Sequence, residues 1–148
     1  MTDAATVSVT IDASPETVFD HLTQRDKVLR WMGVSADFEA RPGGPLRIDV
    51  NSEAQASGEF LEVVPFERVV FTWGWIGNDG VPPGSTTVAI DIVPVGDRTQ
   101  VTLTHSGLPD QPARDQHAEG WTHYLGRLTV AAHGGDPGPD PFNTDVTE

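Results

Sequence analysis

Two neighbouring runs constrain this chain more than any other feature. TVAIDIV (87–93) and QVTLTHS (100–106) each alternate apolar and polar side chains, and PVGDR joins them through a Gly96-Asp97 pair suited to a tight hairpin. Such a hairpin has one apolar face, and a sheet built on it must cover that face with another element.

The same period of two recurs elsewhere. TVSVTID near the amino end alternates through Val7, Val9 and Ile11, and PLRIDV alternates through Leu46, Ile48 and Val50 after the turn RPGG. VVFTWGW puts Val69, Phe71, Trp73 and Trp75 on one face. GEFLEVV alternates poorly around Glu59 and Glu62, which predicts a bulge or a two-sided strand. Two short helices are expected after the first strand. One lies in ASPETVFDHL, with Ser14 as N-cap and Pro15 at the first helical position; the other runs from Thr23 to Trp31.

The last element begins after GLPDQP and runs to about His133, where Gly134 and Gly135 end it. It is the one helix long enough to cover the sheet. The expected class is therefore α+β, a curved antiparallel sheet wrapped around a long C-terminal helix, with a ligand cavity wherever helix and sheet do not meet. Residues 1–133 form the expected single domain. The remainder, 134–148, is rich in proline, glycine and acid and is expected to be mobile.

Composition narrows the function. A formal net charge of −13, with no basic cluster to offset it, opposes binding to phosphate backbones and anionic lipid surfaces. No cysteine is present, which excludes disulfides, thiolate metal sites and cysteine nucleophiles. No apolar run approaches the ~20 residues that cross a bilayer, and the amino terminus lacks the regions of a signal peptide, so a cytoplasmic location is the default expectation. Neither phosphate-cradling glycine pattern occurs, and no cofactor is expected.

HAEGWTHYLGRL (117–128) is the segment richest in chemistry. His117 and His123 are six residues apart and project about 120° from each other around a helix, so they do not share one metal ion; no metal site is expected. His117, Trp121, Tyr124, Leu125 and Leu128 fall at spacings of three and four and form one face. His123 and Arg127 lie opposite, toward solvent. Gly120 costs about 1 kcal/mol in a helix relative to alanine, which implies either close approach by another element or room for a ligand.

His105 shares a strand face with Val101 and Leu103 and so points to the apolar side of the sheet, as a buried structural residue bonded to a carbonyl or hydroxyl, or as a polar group in a cavity. Trp73 and Trp75, with Phe71, either line that cavity or simply pack. Asp49, Glu59, Glu62 and Asp91 lie in strands, where an inward orientation remains open. No serine sits in the strand-to-helix context of a nucleophile elbow.

GEFLEVVPFERVVFTWGW, PPGSTTVAIDIVPVGDRTQVTLTHSGLP and HAEGWTHYLGRL together resemble the homologues of the heat-shock protein 90 ATPase activator C-terminal domain, within the START-like or SRPBCC superfamily. VTIDASPETVFDHLT is similar to that superfamily's entry strand and helix. The resemblance covers about residues 5 to 133 and implies a helix-grip fold with a cavity between sheet and helix. It does not imply one activity, because the superfamily includes carriers of lipids and hormones as well as polyketide cyclases.

Co-chaperone members of the family carry a separate amino-terminal domain, whereas this chain opens on the first strand of the START-like domain. The segment after Trp31, MGVSADFEA, also lacks the second tryptophan and the proline often found in such relatives. Three readings follow. The first is a monomeric or homodimeric protein that binds a small hydrophobic or aromatic molecule through Trp31, Phe71, Trp73, Trp75, His105, His117, Trp121, Tyr124 and Leu125. The second is an enzyme of cyclase, dehydratase or hydrolase type with His105 or His117 as acid or base. The third is an interaction module with a chaperone or stress-response partner.

Overall fold

The computed structural model describes residues 4–51 and 53–138. The elements are β1 (Ala5–Ile11), α1 (Pro15–Thr23), α2 (Arg25–Val28), β2 (Ser35–Phe38), β3 (Pro45–Asp49), β4 (Gln55–Val64), β5 (Arg68–Trp73), β6 (Thr86–Val95), β7 (Arg98–Ser106) and α3 (Gln111–Ala132). One seven-stranded sheet has the order β1-β7-β6-β5-β4-β3-β2, every pair antiparallel. This is the helix-grip architecture: the long C-terminal helix lies against the inner face of a curved, open sheet.

Local chemistry explains the boundaries. Gly96 adopts φ +65° at the first position of the two-residue β6–β7 turn, where a side chain would be strained, and Val95 pairs with Arg98 across it. Ser14 accepts the Thr17 N–H at the start of α1, as expected of an N-cap followed by proline. The β4–β5 register shifts between Phe60 and Glu62, the irregularity that the poor alternation predicted.

Period-two alternation delivers the core. Val88, Ile90 and Ile92 from β6 lie beside His105, Leu103 and Val101 from β7, and all are buried. α3 closes this face with Trp121, Leu125, Leu128 and Ala131. Among the described residues no helix is long and apolar enough to cross a membrane.

Three expectations need correction, and one orientation left open is decided. The second helix is only Arg25–Val28, because Gln24 is extended and separates it from α1, while beyond Val28 the chain tightens into i→i+3 turns and reverses at Gly33, φ +89°. α3 begins two residues before Ala113, capped by Asp110, whose side chain accepts the Ala113 N–H. Asp49, Glu59, Glu62 and Asp91 do not enter the core: Asp49 pairs with Arg47, Glu62 and Asp91 with Arg68, and Glu59 is exposed, which spares them the cost of burying a charge. His123 and Arg127 are half-buried rather than solvated; the Arg127 guanidinium donates to the Trp31 carbonyl at 3.0 Å and ties α3 to the turns after α2.

The expected mobile tail falls, from residue 139 onward, outside the described residues. Before that point, Gly135 and Pro137 accept hydrogen bonds from Arg30 and Arg127.

Candidate functional site: an indole-lined cleft at the start of the long helix

β5 ends at Trp73, and the chain leaves the sheet through Gly74 into a long loop that returns as β6. A side chain at residue 74 would place its Cβ 1.7 Å from the Pro82 carbonyl oxygen, so only glycine lets the returning strand of the loop lie so close. The Trp75 N–H donates to the Val81 carbonyl at 2.7 Å, and Asn78 Oδ1 accepts from the N–H groups of Gly80 and Val81. Val81, buried, forms a small apolar cluster with Leu108 and Ala5, against which Trp75, Ala113 and Ala118 pack. The loop is thereby pinned to the first turns of α3.

Two histidines organise the indoles around this junction. His117 Nδ1 lies 2.8 Å from the Ala113 carbonyl and must carry the proton that bond needs, which leaves Nε2 to accept the Trp75 indole N–H at 3.0 Å. His105 has the opposite tautomer. Its Nδ1 accepts the Trp121 N–H at 3.0 Å, so Nε2 donates to the Thr86 hydroxyl at 2.8 Å, and that hydroxyl donates to the Trp73 carbonyl at 2.6 Å. Both imidazoles are neutral in this arrangement, and both ring nitrogens of each are engaged.

Burial dominates at His105, which has no exposed surface. Desolvation, with a smaller contribution from the charge His117 would carry, pushes its pKa from 6.5 down to about 3. The two histidine rings meet edge to face, 4.9 Å between centroids. Among the described residues no group of three potential ligands gathers to hold a metal ion.

The loop, the first half of α3 and the turn after α2 enclose an open cleft of about 780 Å³, within the range of small-molecule sites. Trp73, Trp75, His117, Trp121 and Tyr124 line it. Gly120 also lines it, and a Cβ there would meet nothing within 4 Å; the glycine leaves open space rather than admitting a neighbouring element. Among the described residues the lining includes no lysine or arginine, and its one acidic residue is Asp110.

The other four candidates stand in the closed core. Trp31 is turned inward by its indole bond to the His21 carbonyl at 2.8 Å. Phe71 lies one inward position deeper than Trp73 on β5, sandwiched between Phe60 and Trp73. His105 is covered by Trp121, and Leu125 is fully buried one residue around the helix from Tyr124.

Sequence reading missed the loop's share of the cleft. GNDGVPPGS reads as a hairpin connection, and the one signal for a packed role is Val81, an apolar residue between glycine and a proline pair. It also missed His21, which is buried, donates Nδ1–H to the Thr17 carbonyl and accepts from Arg30; desolvation lowers its pKa.

Comparison with known proteins agrees with this architecture. A solution structure of an AHSA1-like protein from Rhizobium etli is 46% identical, with a TM-score of 0.75, and the alignment covers 98% of this chain and 91% of that one. The crystal structure of DynU16, a protein of the dynemicin biosynthetic locus, superimposes with a TM-score of 0.80 at 25% identity over 93% of this chain and 49% of that one. The human activator of 90 kDa heat shock protein ATPase homolog 1 is 25% identical over 120 residues, 80% of this chain; the match spans about a third of the human protein, 33%. The model of one family, described as activator of Hsp90 ATPase homolog 1-like protein, matches residues 12–133, which begin just after β1 and take in the other six strands and all of α3. The chain belongs to that family.

Proposed function

We propose that this protein binds a small, uncharged, largely aromatic or hydrophobic molecule in the cleft beside α3 and acts as a carrier or sensor rather than a catalyst. The observation that carries this reading is an open, indole-lined space of about 780 Å³ where Gly120 withholds a side chain. The absence of basic side chains from the lining and the net charge of −13 disfavour fatty acids, phosphates and other anions. Binding is favoured over proton transfer because neither imidazole has a nitrogen free to exchange a proton with a ligand.

The neutral probe N-phenyl-1-naphthylamine tests the reading. Saturable enhancement of its emission, with energy transfer from tryptophan, is expected for the parent protein and is expected to be lost in Gly120→Phe, whose ring fills the cleft. The reading fails if the probe does not bind, and if native mass spectrometry against a panel of lipids and aromatic metabolites retains no ligand.

Family membership favours a second reading, docking onto a heat-shock protein 90, after the name of the human relative. A heat-shock protein 90 ATPase rate that does not change on adding the protein removes it.

A further inference from the structure

The histidine that holds Trp75 can do so in one protonation state only. His117 Nδ1 faces the Ala113 carbonyl at 2.8 Å and has to donate, so Nε2 meets the Trp75 indole N–H with a lone pair. A second proton on this ring goes to Nε2 and sets two N–H groups against each other across 3.0 Å. The bond then breaks, and Trp75 loses the acceptor that ties its loop to α3. Access for that proton differs between the two histidines: His117 is half-buried and lines the open cleft, whereas His105 has no exposed surface. An imidazole is also the side chain that ordinarily changes charge between pH 5 and 8.

We infer that His117 is a proton-operated latch on the cleft: neutral, it clamps Trp75 and the loop 74–85 against α3, and protonated, it releases them and weakens the hold on a bound ligand. The inference rests on the binding function proposed above and names the regulation of that site. Release is confined to the Trp75 side of the loop, because its two ends stay bonded to β4: the Ser57 N–H donates to the Gly74 carbonyl at 2.9 Å and the Gly84 N–H to the Ser57 carbonyl at 3.2 Å. Trp121 keeps its partner, since His105 remains neutral down to about pH 3. Among the described residues, the titratable groups around His117 are His105 from β7, packed edge to face, and, in the lining it shares, Asp110 before α3 and Tyr124 on α3. The loop and the turns after α2 and β3 bring no charged side chain to that lining. One further imidazole, His123, stacks on Tyr124 with 4.8 Å between centroids and serves as a control.

The test follows the indole N–H and imidazole resonances of the full chain by NMR between pH 8 and 5.5. The Trp75 N–H is expected to move, and to exchange faster with water, along the titration of His117, while the Trp121 N–H stays. Affinity for N-phenyl-1-naphthylamine is expected to fall about five- to tenfold over the same titration, the worth of one neutral hydrogen bond. Linkage then requires saturating probe to lower the His117 midpoint by about 0.7–1 pH unit, a measurement that needs no variant. His117→Gln, whose amide oxygen can accept an N–H without titrating, is expected to abolish the pH dependence of binding, and His123→Gln to keep it. A Trp75 resonance that stays put while His117 titrates, or a His117 that does not titrate in this range, overturns the latch and leaves the binding function standing. So does a probe affinity that stays flat while Trp75 moves. If the probe binds at no pH, the binding function falls, and with it the latch's control of a ligand.

Discussion

The buried histidine of β7 makes a quantitative prediction about acid stability. His105 in the unfolded chain takes up a proton near its ordinary pKa of 6.5, whereas in the folded protein it stays neutral until about pH 3. Between those values the unfolded state binds more protons than the folded one, so folding stability falls as pH falls, by about 1.4 kcal/mol per pH unit. The contribution is fully present above pH 6.5. By pH 5 about 2 kcal/mol is lost, and by pH 3 about 4 kcal/mol, a large share of the total stability of about 5–15 kcal/mol usual for a domain.

His105→Gln isolates the effect, since a glutamine carbonyl can accept the Trp121 N–H and its amide can donate to Thr86 without titrating. Urea unfolding followed by tryptophan emission at pH 7.5, 6 and 5 gives both stability curves. Carboxylates and His21 contribute to each curve alike, so the parent-minus-variant difference is the quantity to read. That difference should shift against the parent by about 2 kcal/mol from pH 7.5 to pH 5. A difference that stays flat over this range refutes the assignment of His105 as a neutral, fully desolvated imidazole.

Other perturbations separate packing from open space. Gly120→Ala should stabilise the protein by about 1 kcal/mol in thermal or urea unfolding, because a Cβ there meets nothing within 4 Å and helix propensity improves. Gly74→Ala should destabilise by more than about 2 kcal/mol in the same assays and weaken N-phenyl-1-naphthylamine binding, since the new Cβ collides with the Pro82 carbonyl and pushes the loop off α3. His117→Phe keeps an aromatic ring but orphans the Trp75 N–H; a loss of about 1–2 kcal/mol is expected by urea unfolding, with faster exchange of the Trp75 indole proton. Ser14→Ala removes the acceptor for the Thr17 N–H and should cost about 1 kcal/mol in urea unfolding.

The site was legible in parts that follow different rules. Trp73 and His105 could be assigned to the inner face because alternation along a strand leaves only two orientations. His117, Trp121 and Tyr124 could be grouped because helical spacing fixes which side chains share a face. The same rules said nothing about depth. Phe71 and Trp73 have the same orientation on β5, yet Phe71 lies under Phe60 in the core and Trp73 reaches the cleft. Trp31 was placed in a helix by spacing, but the helix ends at Val28 and a bond to the His21 carbonyl turns the indole into the core.

By itself the sequence determined what short-range geometry controls. A period of two made the strands, Gly96-Asp97 made the hairpin, Ser14-Pro15 started α1, and an apolar stripe long enough to cover the sheet made α3 a grip rather than a surface helix. Only the tertiary structure decided which nitrogen of which histidine faces which indole, because those partners lie 16 to 42 residues apart and meet through the register of β5, β6 and β7 against α3. It also decided the meaning of Gly120. A missing side chain can admit a neighbour or leave a space, and here the loop pinned by Val81 stops short of it, leaving room beside the two histidine-held indoles.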